Sequence, residues 1–389
     1  EIVYTPVTGE VNTLTETHDA TTGELVFVDT TGNIGGTREA RIGVASGDNL
    51  TIETGDEDDK IILGDLGIFD GNLTVDGGTD QDQVIYQATG VTLGAGDGAT
   101  VTAEEIDFWV GSELTTTDGD ITAVAEGGTG NLQGVHVYGA DLTTGTGNVT
   151  LTGEGGDTGN SNTGVHVTNG ASITTGGGNI DIDGQGGGSA VSVSSKGVLI
   201  HYGSSLSVDG DGTITIDGTA GNGSLQNDGV FIVGADLTVA DGDMTINGTG
   251  AGTLGGDGVS MTGTDLVGTG AGNILITGTS TATGGLGNQG IILTSTTIDT
   301  TAGTGTVTLS GTGSAAGLIN NEGVRLSDTD IATGGNAAID IDGVAGGTAL
   351  GNNNTGVALL GGSTVIADGS GTVNIDGTAG AGTVMNRGV

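Results

Sequence analysis

The sequence predicts an all-β fold, a single-stranded right-handed parallel β-helix (β-solenoid) with three short strands per coil. Three observations predict it: a composition of strand and turn residues, apolar markers that recur in phase, and the absence of any stretch of helical periodicity. The segment "GVFIVGADLTVADGDMTINGTG", which begins at Gly229, shows the pattern. Three short apolar runs in it are separated by glycine and aspartate.

The composition favours strands and turns over helix or disorder. The 389 residues include 85 glycines and a single proline, and no Gly-X-Y period is present, which excludes collagen. The hydrophobic share of 34% consists mainly of Val, Ile, Leu and Ala in alternating runs with Thr. Such clustered, periodic apolar residues argue against a disordered chain, and this much glycine would make helices unstable.

Three markers hold their phase over eight units of 29 to 33 residues. The first is a glycine before an apolar strand, found at Gly134, Gly164, Gly197, Gly229, Gly258, Gly290, Gly323, Gly356 and Gly388. The second is an apolar-x-apolar pair, found at Val149/Leu151, Ile180/Ile182, Ile214/Ile216, Met244/Ile246, Ile274/Ile276, Val307/Leu309, Ile339/Ile341 and Val373/Ile375. The third is one aliphatic residue between them, found at Leu142, Ile173, Leu206, Leu237, Leu266, Ile298, Ile331 and Val365. Strands this short must pair with the same strand of the next unit, about 4.8 Å away, which builds a solenoid.

Coil length divides the chain into three predicted segments. Apolar clusters at 61–63, 84–86 and 106–108 recur at intervals of about 22 residues, which is what a bare three-sided coil needs. We expect a cap or incoming strand in 1–48, shorter coils with acidic turns in 49–133, and regular repeats in 134–389 that end within a repeat. The downstream coils of 30 to 33 residues carry an added loop, such as "GTAGNGSLQND", always at one corner.

The turns between strands explain the abundance of glycine and of asparagine. Tight corners need positive φ, which Gly adopts freely and Asn or Asp tolerate. We therefore expect this conformation at the pairs 147–148, 178–179, 242–243 and 272–273 ("GN" or "GD"). Asn recurring at one corner also predicts a ladder of hydrogen bonds along the stack.

This pattern resembles the passenger regions of bacterial surface adhesins of the filamentous-haemagglutinin and autotransporter type, and the large beta strand repeat surface proteins of aquatic bacteria. The resemblance covers about residues 50 to 389 and rests on architecture and composition. It implies secretion, display at the cell surface, and an adhesive or scaffold role.

Charge limits the classes of partner. The formal net charge is −42 and the chain has six Lys and Arg, so phosphate-contacting nucleic-acid binding is not expected. No run of 18 apolar residues is present, so no membrane span is expected. The expected partners are further copies of the chain, in head-to-tail or lateral contact, other surface proteins, and polysaccharide.

Calcium is the one cofactor that the sequence suggests. "GGTDQDQVI" resembles the nonapeptide of RTX calcium β-rolls, with Asp82 on the pattern and Asp80 in a glycine position. "TGDEDDKII" fits more loosely, and contributes Asp56 and Asp59. The spacing between Asp59 and Asp82 matches one short coil, so they are expected to stack in neighbouring coils, where carboxylates could bind Ca²⁺. The alternative is that these acidic turns are solvated corners.

The remaining polar residues argue against an enzyme. His136 and His166 share one place in consecutive "GVHV" strands, so both should point outward and stack, and a transition metal there is the weaker interpretation. Lys and Arg are scattered, and Trp109 is the only tryptophan, so aromatic platforms for sugars are nearly absent. We predict a secreted or cell-surface structural protein, a rigid stalk, fibre or matrix that could also be adhesive. The alternative is a polysaccharide-binding or polysaccharide-degrading module.

Overall fold

The computed structural model describes residues 2–4, 13–19, 24–29, 39–43, 47–66 and 69–389. Within these ranges the chain forms 37 strands in three sheets and contains no helix. The predicted fold class, an all-β solenoid of stacked parallel strands, is confirmed.

The three sheets form the three sides of the solenoid. Sheet 1 contains Ile2–Tyr4, Leu50–Glu53, Leu73–Asp76, Ala99–Ala103, Ile121–Ala125, Val149–Glu154, Ile180–Gln185, Ile214–Thr219, Met244–Gly250, Ile274–Ser280, Val307–Thr312, Ile339–Val344 and Val373–Thr378. Sheet 2 contains Thr13–Asp19, Glu24–Asp29, Glu39–Gly43, Lys60–Leu63, Gln83–Tyr86, Glu105–Phe108, Val135–Tyr138, Val165–Thr168, Val198–His201, Val230–Val233, Val259–Thr262, Ile291–Thr294, Val324–Ser327 and Val357–Leu360. Sheet 3 contains Val91–Thr92, Glu113–Thr116, Asp141–Thr144, Ser172–Thr175, Ser205–Val208, Asp236–Val239, Asp265–Gly268, Thr297–Thr300, Asp330–Thr333 and Thr364–Ala367.

Register holds from one coil to the next. In sheet 1, Val149 pairs with Ile180 and Ile180 with Ile214, all in parallel. The sequence separation between paired residues of adjacent sheet 1 strands measures the length of a coil. Every coil between Leu50 and Ile121 is shorter by this measure than any coil downstream of Ile121. The downstream increase is the corner loop, which always joins sheet 1 to sheet 2.

The interior is one continuous aliphatic core. Alternate residues of each strand point inward, as in Val149–Glu154, and the cluster of buried residues extends from Leu14 to Val357. The marker residues Leu142 and Leu151 are 1% and 0% exposed. Each such aliphatic side chain contributes about 1.5–3 kcal/mol by leaving water, so every coil adds similar stability.

Sheet 2 begins differently from the rest of the stack. Thr13–Asp19 pairs in parallel with Lys60–Leu63, while Glu24–Asp29 and Glu39–Gly43 add to it in antiparallel hairpin order. These strands fall in the segment for which a cap or incoming strand is predicted. Glu16 pairs with Leu63 and points inward, and it is fully buried.

Close backbone packing, and not turn conformation, explains the marker glycines. Gly278 lies near the end of the sheet 1 strand Ile274–Ser280, and a Cβ atom built on it would overlap the carbonyl oxygen of Gly290, which precedes the next sheet 2 strand. Neither residue has positive φ. The same contact recurs in the coils on either side, at Gly248 with Gly258 and at Gly311 with Gly323. Glycine is therefore required at these three corners, where the loop brings the two strands together.

The "GN" and "GD" corners form the predicted ladder but not the predicted backbone conformation. The backbone N–H of Asn179 donates to Asn148 Oδ1 at 2.8 Å, and that of Thr213 donates to Asn179 Oδ1 at 2.9 Å. Asn273 and Asp243 make the equivalent bond at 2.8 Å. None of these Asn or Asp residues has positive φ, so that prediction is wrong. Their side chains instead accept the N–H groups that the turn leaves unpaired.

A second asparagine ladder lies inside the corner loops, two residues before the marker glycines. Asn288, Asn321 and Asn354 are each 0% exposed. Asn321 Nδ2 donates to Asn354 Oδ1 at 3.0 Å, and Asn288 Nδ2 donates to Asn321 Oδ1 at 3.3 Å. These bonds satisfy buried amides and tie each loop to the next.

Candidate functional site

The outer face of sheet 2 concentrates the reactive side chains of the chain. One row across adjacent strands consists of Asp107, His136, His166, Leu199 and Phe231, paired in register. The "GVHV" strands bring the histidines to this face because their valines point inward. The row therefore passes from acidic to imidazole to apolar groups within five coils.

Three imidazoles stack along this face. The rings of His136 and His166 lie 4.7 Å apart and within 15° of parallel, and those of His166 and His201 lie 4.9 Å apart. The predicted outward stacking of the first two is confirmed. His201, which sequence reasoning missed, lies two positions further along its strand and reaches His166 diagonally.

Polar partners fix the orientation of the stack. His136 Nδ1 lies 3.2 Å from Asp107 Oδ1, and Gln83 Nε2 donates to the other oxygen of Asp107 at 2.9 Å. His166 Nδ1 lies 2.6 Å from Gln133 Oε1. Burial lowers the pKa of His166 to about 3, and the neighbouring imidazoles and a lysine add to the effect. This ring is therefore neutral at pH 7.

Exposed aromatic rings flank the stack. Trp109, Tyr138 and Tyr202 are 45%, 38% and 71% exposed. The Trp109 and Tyr138 rings meet edge to face at 6.5 Å, and the Tyr202 ring lies 3.9 Å from that of His201. The prediction that aromatic platforms are nearly absent is wrong for this face, because few aromatics are present but the fold brings these together.

A groove continues from the stack toward the corner loops. Two adjoining cavities of about 400 and 440 Å³ share Ser194, Lys196 and Phe231. Lys196 Nζ lies 4.9 Å from the centre of the Phe231 ring and 3.8 Å from Asp228 Oδ2. Burial lowers the pKa of this lysine, and the Asp228 carboxylate acts in the opposite direction.

A row of buried polar residues forms the inner wall of the groove. In these coils each member of the row stands directly before the marker glycine of a sheet 2 strand. The Asp257 N–H donates to Asp228 Oδ1 at 3.0 Å, and the Gln289 N–H donates to Asp257 Oδ1 at 2.7 Å. Gln289 Nε2 then donates to Glu322 Oε2 at 3.0 Å. Burial raises the pKa of Asp228 to about 6, and burial followed by the Asp228 charge raises that of Asp257.

The predicted calcium residues belong to the upstream end of this row or to the turns beside it. The Asp59 N–H donates to Asp82 Oδ1 at 2.7 Å, and both side chains are buried. Burial raises the pKa of Asp82 to about 7, and neighbouring carboxylates add to the shift. Asp80 lies on an exposed turn with φ of +88°, the conformation of the glycine it replaces. Asp56 lies half-buried on the preceding coil's turn.

The structure thus brings Asp59 and Asp82 together in adjacent coils and leaves Asp80 at the surface. Across the residues with described positions, no three His, Asp or Glu side chains converge on a point where they would enclose a metal ion. Calcium binding stays a prediction. Sequence reasoning also missed Asp228 and Asp257, which precede marker glycines, and Glu104, which precedes a sheet 2 strand and accepts from the Asp82 N–H at 2.8 Å. The available signal was this recurring polar residue.

No helix in the described part of the chain has the length and apolar character needed to cross a membrane. Comparisons with protein-family models, with curated proteins and with solved structures found no significant match.

Proposed function

We propose that this chain is a secreted or cell-surface structural protein that forms a rigid stalk, fibre or matrix, of the kind built by filamentous-haemagglutinin, autotransporter and beta strand repeat proteins. The observation that carries the proposal is the unbroken register of the sheets around one core. Thirteen strands of sheet 1 at about 4.8 Å spacing give a rod of about 60 Å. Because each coil is bonded to the next along three sides, the rod resists bending.

An apolar ridge supports lateral association between copies. We define the apolar ridge as the exposed aliphatic side chains of successive corner loops: Val191, Leu225, Leu254, Leu286, Leu318 and Leu350, from 40% to 82% exposed. The loops stack in parallel, since Leu225 bridges to Leu254 and Leu286 to Ile319. Exposed apolar side chains repeated on successive coils are typical of an interaction surface. Calcium bound at the acidic turns would reduce the repulsion between chains of charge −42.

Electron microscopy and antibody labelling of native material test this proposal. We expect antibodies against the chain to label the surface of intact cells, and filaments or sheets of parallel rods to appear that loosen when calcium is chelated. A variant with Leu225, Leu254 and Leu286 changed to serine should lose side-by-side packing and keep its circular dichroism spectrum. Monodisperse particles that chelation leaves unchanged, together with label confined to the cell interior, would contradict the proposal.

A second candidate function is polysaccharide binding, favoured by the aromatic rings at the sheet 2 groove. Trp109, Tyr138 and Tyr202 present their rings on nearby coils, beside hydrogen-bonding groups of His201 and Gln133. Aromatic faces and planar polar groups together suit sugar rings, with the groove giving the direction of the chain.

Affinity electrophoresis in gels that contain acidic or neutral polysaccharides tests this second function. We expect retardation of the wild type, and a loss of at least about tenfold in affinity when Tyr202 and Trp109 are both changed to alanine. Leu360→Ala, at an exposed position elsewhere on sheet 2, is the matched control. Equal mobility of wild type and double variant in every gel would eliminate this function.

A further inference from the structure

Three of the four histidines of the chain occupy one small area of sheet 2. The fold does not require imidazole there. The position of His166 is taken by Leu199 and Phe231 in the following coils, and the position of His201 by Val233. The histidines therefore point to a role beyond stacking one coil on the next.

The hydrogen bonds at Nδ1 determine where the lone pairs of these rings lie. Asp107 Oδ1 and Gln133 Oε1 can only accept, so Nδ1 of His136 and Nδ1 of His166 carry the proton. In a neutral imidazole the other nitrogen, Nε2, then has the lone pair. A histidine whose Nδ1 is held by a carboxylate or amide oxygen is oriented as a metal ligand is.

The Nε2 atoms meet at the surface of the groove. His166 Nε2 lies 2.6 Å from His201 Nε2, and because the proton of His166 is on Nδ1, the Nε2–H of His201 donates to His166 Nε2. His136 Nε2 is buried and has no hydrogen-bond partner in the described part of the chain.

We propose that His166 and His201 bind one divalent transition-metal ion, Cu²⁺, Ni²⁺ or Zn²⁺, through their Nε2 atoms, with His136 as an adjacent third imidazole. The ion replaces the Nε2 proton of His201, and because metal–nitrogen bonds of about 2.0–2.1 Å keep two donors at least about 2.9 Å apart, both rings must turn and move apart to admit it. Water completes the coordination, which makes this an open site. Imidazole donors select these ions over Ca²⁺ and Mg²⁺, which prefer oxygen.

Isothermal titration calorimetry of the full chain with NiCl₂ and with CuCl₂ tests the proposal. Buffer at pH 7.5 with about 0.3 M NaCl and excess Mg²⁺ suppresses weak binding to the acidic turns. We expect one ion per chain with a Kd of about 1–10 μM. His166→Leu and His201→Val, which copy Leu199 and Val233, should each weaken binding at least about tenfold. Asp141→Ser, which copies the paired Ser172 of the next coil, should leave it unchanged.

A spectroscopic readout separates imidazole from carboxylate ligands. Electron spin echo spectra of the Cu²⁺ complex should show coupled imidazole nitrogens, which both histidine variants diminish. Absence of saturable binding, or binding that both variants leave intact, would overturn the proposal. If His166→Leu alters the circular dichroism spectrum, His201→Val decides, because His201 is only half-buried beside the exposed Tyr202.

Discussion

Glu16→Gln is expected to stabilise the first coils by about 3–5 kcal/mol at pH 8 and to have almost no effect at pH 4.5. The Glu16 side chain is 0% exposed, and among the described residues neither of its carboxylate oxygens has a hydrogen-bond partner in normal geometry. The Gly64 N–H nearby offsets only part of the effect of burial on its pKa. Burial raises the pKa of Glu16 from 4.5 to about 8, and the charge of Asp65 adds to the shift. The glutamine variant has the same shape and no charge to bury.

The direction of the pH dependence follows from the raised pKa. Between about pH 4.5 and 8 the folded chain keeps a proton on Glu16 that the unfolded chain has released. Folding must therefore take up a proton in this window, so the wild type loses stability as the pH rises through it. Below about pH 4.5 both states are protonated and the penalty disappears. The glutamine variant has no ionisable group at this position, so it lacks this free-energy penalty at every pH.

Hydrogen exchange in low denaturant measures the effect locally, as suits a solenoid whose coils can open separately. The amides of Thr13–Asp19 and Lys60–Leu63 should be protected more strongly in the variant at pH 8, once intrinsic exchange rates are corrected for. Glu113→Gln, at an exposed side chain of sheet 3, serves as the control for the loss of one charge. If amide protection in the wild type and in the variant changed with pH in the same way, Glu16 would not be the group that titrates.

The sequence predicts the stack because its signals are local and repeated. Leu142, Val149 and Leu151 each fall at the same phase in eight units, and one buried side per strand is enough to determine which residues point inward. The corner loop can also be predicted from the sequence, because the extra residues of each longer repeat always fall between the second marker and the next marker glycine. The asparagine ladder at 148 and 179 follows from the same argument, since identical residues in register lie one above another.

What the sequence does not reveal depends on contacts between different positions of the repeat. His201 reaches His166 by a diagonal offset of two residues, which an alignment of equivalent positions does not bring together. Trp109 and Tyr138 lie in neighbouring coils whose lengths differ, so their contact has no fixed spacing. Glu16 lies in the segment without clear phase, where inward and outward positions cannot be assigned from the sequence alone.

The sheet 1 glycines that face a marker glycine across the corner give the second large expected effect. Gly311→Ala should lower the free energy of unfolding by about 3 kcal/mol or more, because the corner between sheets 1 and 2 has no space for a methyl group. The added Cβ would overlap the carbonyl of Gly323 and lie 2.8 Å from Val324 Cγ2. Backbone atoms cannot rotate away as a side chain does. The clash must therefore be relieved by moving the corner loop, whose Asn321 bonds then break.

Gly177→Ala is the matched control, because it adds the same methyl group in a turn where nothing lies within 4 Å and φ is not positive. Its expected effect is within about 0.5 kcal/mol, or a gain of up to about 1 kcal/mol from the less flexible unfolded chain. Urea denaturation of both variants, with hydrogen exchange of Ile276 and Leu309, compares them directly. If glycine served only to make the turns flexible, the two variants would be destabilised equally. A large difference between them instead identifies close backbone approach as the reason that glycine recurs at 311 and at its counterparts in neighbouring coils, Gly278 and Gly343, which pair with it in register.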